Sequence, residues 1–207
     1  MKDKFKYHRL DKAEAAVLLI DHQTGLINLV QDYTPNEFRN NVLALTNIAH
    51  YFKLPTILTT SFEEGPNGPL VPEIRDILPN AAYIPRPGQI NAWDNEDFVK
   101  AVKATKRKQL IIAGVVTDVC VAFPTLSALE EGFEVFVCVD ASGTINKDMR
   151  EAALMRMIHA GAQTMSWFSI ASELHRDWRN DVEGLANILS NHVPNYRNLI
   201  NSYQQKK

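Results

Sequence analysis

The sequence predicts an α/β fold, a three-layer α-β-α sandwich around a mainly parallel six-stranded sheet. Three observations point there. Short apolar runs alternate along the chain with stretches of helical periodicity, the pattern of repeated β-α units. Runs such as Leu110-Ile111-Ile112-Ala113 are continuously apolar, as strands covered on both faces are. The 207 residues, 45% hydrophobic and 22% charged, suffice for one domain whose core needs no metal or disulfide to hold it.

The first strand is Ala15-Ala16-Val17-Leu18-Leu19-Ile20, ending at Asp21. A helix is expected from about Pro35 to Lys53, where Phe38, Val42, Leu45, Ile48 and Phe52 recur at helical spacing. Pro55 introduces strand two, Thr56 to Thr60, and Gly65-Pro66-Asn67-Gly68-Pro69 is a loop by composition. A short helix near Glu73 to Leu78 leads to a third strand around Ala82 to Pro85. Residues 86–94 are irregular and Asp97 to Thr105 is helical. Strand four is 109–113, and a helix carrying Cys120 runs to about Glu131, closed by Gly132. Strand five is 133–139, a helix spans Lys147 to His159, and strand six is Ala162 to Met165. Beyond Ser166, helices are expected over Trp167 to Trp178 and Asp181 to Ser190. The chain therefore divides into a domain over residues 1–190 and a tail, 191–207, without clear periodicity. That tail is either an oligomerisation element on a neighbouring subunit or a cap on its own.

A formal charge of -2 leaves no footprint for nucleic acid or an anionic membrane. The charged start, Met1 to Lys6, argues against a secretory signal, and no apolar run approaches membrane-spanning length. Two cysteines, both expected reduced, suit the cytoplasm.

Cys120 follows the strand-four run through Gly114-Val115-Val116-Thr117-Asp118-Val119, and Thr117 and Asp118 are helix-capping residue types. At a helix N-terminus a thiol is expected to shift toward the thiolate, and a developing oxyanion finds backbone donors. A cysteine there is equally able to serve as a small buried hydrophobe. Cys138, inside strand five, reads as core. In parallel sheets ligands bind beyond the carboxyl ends of strands, and Asp21, Arg86 and Cys120 fall where strands one, three and four should end. Each has a plainer role open to it: a turn cap for Asp21, a surface or interface residue for Arg86. Together they supply a thiol, a carboxylate to move its proton and a cation to hold the carboxylate.

The segments Val17-Leu18-Leu19-Ile20-Asp21-His22-Gln23, Gly114 to Val121 and Phe133 to Ala141 resemble the isochorismatase-like cysteine hydrolase superfamily. The stretches Thr59 to Pro69 and Pro85 to Trp93 are similar to its YcaC-like branch. The resemblance, over about residues 13–170, implies that fold, with Cys120 as nucleophile and Asp21 as general base. Arg86 stands where the family has lysine; it can hold Asp21 ionised but cannot relay a proton. The resemblance also implies a cis peptide at Val115–Val116 and an oxyanion hole from the N–H groups of Val116 and Cys120. Pro124, leaving the Cys120 carbonyl without its helical partner, is expected to kink the helix. Branch members form large ring-like homo-oligomers, an octamer being the expectation here.

Nicotinamidases of this superfamily carry metal-binding histidines after strand two. Ser61 to Gly68 has none, so no metal is expected, and no nucleotide motif is present. His22 and His159 read as structural. The expected activity is hydrolysis of a C–N bond in a small amide-like substrate through a Cys120 thioester, without cofactor. Phe62, Asn91 and Trp93 are candidate pocket residues. The alternatives are a vinyl-ether (isochorismatase-type) hydrolase, which does not use the cysteine, and a non-catalytic oligomeric binding protein.

Overall fold

A computed structural model describes residues 7–205. The charged segment Met1 to Lys6, on which the expectation of no secretory signal rests, lies outside the described residues. Among those described, no helix is long and apolar enough to cross a membrane.

Six strands form one parallel sheet: β1 (Ala15–Ile20), β2 (Thr56–Ser61), β3 (Ala82–Arg86), β4 (Gln109–Gly114), β5 (Glu134–Cys138) and β6 (Gln163–Met165). Their order across the sheet is β3-β2-β1-β4-β5-β6. β1 is central and buried throughout. Its alternate side chains feed two cores, as the twofold strand period requires. Ala15, Val17 and Leu19 pack with α1 (Pro35–Tyr51), α2 (Pro72–Ile77), α6 (Trp167–His175) and α7 (Val182–His192). Ala16, Leu18 and Ile20 pack with α3 (Glu96–Ala104), α4 (Ala122–Glu130) and α5 (Lys147–His159). Helices thus cover both faces, the three-layer architecture the continuous apolar runs imply.

Helix starts follow local capping chemistry. Thr34 accepts from Glu37 N–H ahead of Pro35 in α1, and Asn146 accepts from Met149 N–H in α5. The expected cap at Thr117 and Asp118 is not formed. After Gly114 the chain makes a π-type turn, Thr117–Val121, with no side-chain cap, and α4 begins only at Ala122. The Asp118 carboxylate instead accepts from the Thr144 hydroxyl at 2.6 Å. Pro124 accordingly lies in the first turn of α4, where a missing N–H costs little, and the change of helical geometry falls before it rather than at it.

The end of the chain is helical where no periodicity was legible. α7 runs through residue 190 to His192, so it crosses the expected domain boundary, and α8 (Pro194–Gln204) follows. Leu185 and Leu189 of α7 are buried in the core beside α1. Tyr196 of α8 stacks on Trp178, ring centroids 6.3 Å apart, while Leu199 and Tyr203 remain exposed. The helix expected over 167–178 stops at His175 because Arg176 turns into the left-handed region, φ 69°.

Candidate active site

In this strand order the connections lead to opposite sides of β1 and β4, which opens a crevice beyond their carboxyl ends. Asp21 leaves β1 there, Cys120 follows β4 in the π-type turn, and Arg86 is the last residue of β3. Gly114 lets the two central strand ends approach: a Cβ at this position would collide with the Ile20 carbonyl oxygen.

Asp21 adopts φ 58°, a left-handed conformation that aspartate tolerates better than most residues. Its carboxylate and the Arg86 guanidinium are both wholly shielded from solvent and form an ion pair through Nη2 and Oδ1. The rest of the guanidinium is fixed as well. Nε donates to Thr59 Oγ1 at 3.0 Å and Nη1 to the Gln89 carbonyl. Three different acceptors thus hold a planar fork that lysine cannot reproduce. Oδ2 of Asp21 is buried without a partner at ordinary hydrogen-bond geometry, and the Cys120 thiol is the group coupled to this carboxylate.

Burial pushes the Asp21 carboxyl up, against the pull of Arg86 and of the Cys120 hydrogen bond. The Cys120 thiol is pushed well above its ordinary value, first by burial and then by the Asp21 charge. This reverses the expectation of a lowered thiol pKa. The helix end is replaced by a π-type turn, and the dipole of a turn cannot outweigh desolvation beside a carboxylate. The Cys120 thiol therefore rests protonated, beside a carboxyl group that is paired with Arg86.

The peptide Val115–Val116 is cis, and the Val116 N–H pulls the Cys120 thiol down against the burial that raises it. The loop after β5 frames this segment. Gly143 accepts from Thr117 N–H at 3.0 Å and donates to the Gly114 carbonyl at 3.3 Å. Thr144 N–H donates to the buried Asp32 at 2.9 Å. On the other side Gln23, fully buried, receives Ser61 N–H at 2.8 Å and donates to the carbonyls of Ser61 and Gly68. Thr59, Gln89, Thr144 and the structural use of Gln23 were not read from the sequence. Only Gln23 carried a signal, its place two residues after Asp21.

Of the three pocket candidates, Phe62 is joined directly to Arg86. It is 52% exposed, and its N–H donates to the Arg86 carbonyl at 3.0 Å. Asn91 has both ends of its amide engaged, receiving Trp93 N–H and donating to Ser127 Oγ at 3.1 Å. Trp93 Nε1 donates to Glu131 and its ring packs edge-on against Phe98 and Phe133. Glu131 lies past the far end of α4, about 13 Å of helix away from the Cys120 turn. Asn91 and Trp93 thus tie this segment to α4 through Ser127 and Glu131.

His22 is wholly buried, stacked 6.4 Å from Phe38, and its pKa is lowered to about 4 by desolvation. As pH falls below about 6.5 the unfolded chain binds this proton first, so folding stability should drop until about pH 4 and then level off. The full loss expected from this residue is about 3 kcal/mol. Urea midpoints at pH 7 and 4.5 measure it. A slope retained in His22→Gln would assign the loss to other groups. Among the described residues no group of three or more His, Cys, Asp or Glu is assembled as a metal site.

Fold and site together define a hydrolase-type centre: a half-buried thiol beside a buried carboxylate and guanidinium at the switch point of a parallel sheet. Residues 15–169 match the isochorismatase domain model, and the chain belongs to that family. It is 69% identical to the probable hydrolase YcaC of Escherichia coli over 197 residues, 95% of each chain. It superimposes with TM-score 0.96 on YcaC from Pseudomonas aeruginosa with hexane-2,5-diol and covalent acrylamide, 70% identical, covering 97% of this chain and all of that one. With the E. coli YcaC crystal structure, an octameric hydrolase of unknown specificity, the TM-score is 0.97 at 67% identity, covering 99% of this chain and all of the other.

Proposed function

We propose that this protein is a metal-independent cysteine hydrolase that cleaves the C–N bond of a small amide-like substrate. The observation that carries the proposal is the sharing of one buried carboxylate, Asp21, between a fixed guanidinium and an un-ionised thiol. Asp21 takes the Cys120 proton as the sulfur attacks the carbonyl carbon. The N–H groups of Val116 and Cys120 hold the oxyanion. Asp21 then gives the proton to the leaving nitrogen as the C–N bond breaks, and a thioester remains. Water, deprotonated by Asp21, adds to the thioester; the acid leaves and the thiol regains its proton. Arg86 stays charged throughout and keeps Asp21 ionised between steps. The absence of histidine in Ser61 to Gly68 supports the metal-independent route.

The covalent acrylamide held by the Pseudomonas relative supports a reactive thiol, since acrylamide adds to sulfur nucleophiles. Acrylamide or iodoacetamide should therefore add once per chain, at Cys120, while the fully buried Cys138 stays unmodified. Peptide mapping of the adduct checks this. Modification at Cys138 first, or at neither, would refute the assignment.

We further propose that the chain acts in the cytoplasm, where two free cysteines persist, and that it assembles as a homo-oligomer, an octamer like its E. coli relative. The exposed Leu199 and Tyr203 face of α8 suits a contact with a neighbouring subunit. Removing residues 194–207 should lower the mass measured by light scattering; an unchanged assembly would place α8 outside the contact.

A further inference from the structure

The two residues after Asp21 are both polar and both wholly buried, and each reaches a different side of the sheet. Gln23 ties this segment to β2, as described above. His22 crosses the other way, with Nε2 3.0 Å from the Ala141 carbonyl in the loop after β5. A carbonyl only accepts, so Nε2 carries the proton and the ring is the neutral Nε2–H tautomer. Nδ1 is then a buried acceptor without a partner. An apolar ring would fill this space beside Phe38 without that desolvation cost, so packing alone does not account for an imidazole here.

What the Nε2–H bond joins is informative. Ala141 leads into Gly143, which pins Gly114 and Thr117 on either side of the cis peptide, and into Thr144, which holds Asp118 in the Cys120 turn. One hydrogen bond therefore connects the segment bearing the base to the loop that frames the nucleophile and the Val116 N–H. We propose that His22 is a positioning residue whose Nε2–H bond to Ala141 holds the Asp21 carboxylate in register with Cys120 and Val116. This rests on Asp21 serving as the base for Cys120.

Two variants separate the halves of the side chain. His22→Phe keeps a ring against Phe38 and loses the donor; His22→Gln keeps a donor at the same reach and loses the ring. The readout is the rate of Cys120 alkylation by iodoacetamide against pH, followed by intact mass. Wild type should hold a plateau near neutral pH bounded by an acid limb from Asp21. Asp21→Asn should lose both and climb steadily with pH. His22→Phe should lower the plateau about tenfold or more, and His22→Gln should restore it to within about threefold. A plateau in His22→Phe equal to or above that in His22→Gln would overturn the proposal and leave His22 a packing residue. A wild-type profile in Asp21→Asn would instead overturn the assignment of the base itself. Nitrogen-15 NMR of histidine-labelled wild type needs no variant: a neutral Nε2–H ring from pH 5 to 8 is expected, and an Nδ1–H tautomer or an imidazolium at pH 7 would refute the bond.

Discussion

Replacing Cys120 by alanine should lower amide hydrolysis by at least about 10³-fold while leaving the fold intact, because it removes the proposed nucleophile. Cys120 is only partly buried, so the truncation leaves a small cavity and costs little stability compared with a core deletion. Steady-state rates and thermal melts on the same preparation separate the two effects. Serine should do no better than alanine. Its hydroxyl is far harder to ionise than a thiol, and Asp21 is a weak base for it. Vinyl-ether hydrolysis would survive the substitution, since it does not pass through an acyl-cysteine. Retained activity in Cys120→Ala would therefore favour that alternative.

Arg86 carries the second large effect. Arg86→Met should leave the Asp21 carboxylate buried without its counter-charge, a loss of about 3–5 kcal/mol by analogy with other broken buried pairs. That is a substantial part of the roughly 5–15 kcal/mol that holds a typical domain together. Asp21 responds by binding a proton, so activity at neutral pH should vanish with the stability and its acid limb should move to higher pH. Adding Asp21→Asn to Arg86→Met removes the stranded charge. The double variant should regain most of the stability and none of the activity, and urea denaturation of all four members of the cycle measures the coupling. Arg86→Lys should fall between. It keeps a positive charge near Asp21 but forfeits the bonds from Nε to Thr59 and from Nη1 to Gln89.

The strands were legible because burial on both faces leaves runs such as Val17 to Ile20 and Leu110 to Ala113 continuously apolar, and no other element writes that pattern so plainly. Strand ends then located Asp21, Arg86 and Cys120, since in a parallel sheet the carboxyl ends share one edge. The properties that depend on distant neighbours were not legible. The Cys120 thiol rises because a carboxylate from the end of β1 is packed beside it in a dry site, and its local helix-start pattern pointed the other way. Gln23 finds its partners at Ser61 and Gly68, far along the chain, and Trp93 finds Glu131 across α4. The helix α8 was missed because its apolar stripe includes two tyrosines, Tyr196 and Tyr203, in a strongly polar segment.

The proposed proton-coupled pair of Cys120 and Asp21 should form an acyl-enzyme. The most direct measurement is the intact mass of the protein, acid-quenched within the first turnovers with each member of a panel of small amides. A mass increase equal to the acyl group, mapped to Cys120 and absent in Cys120→Ala, is the expected result. Steady hydrolysis of an amide by Cys120→Ala at the wild-type rate, with no acyl adduct in either protein, would contradict it.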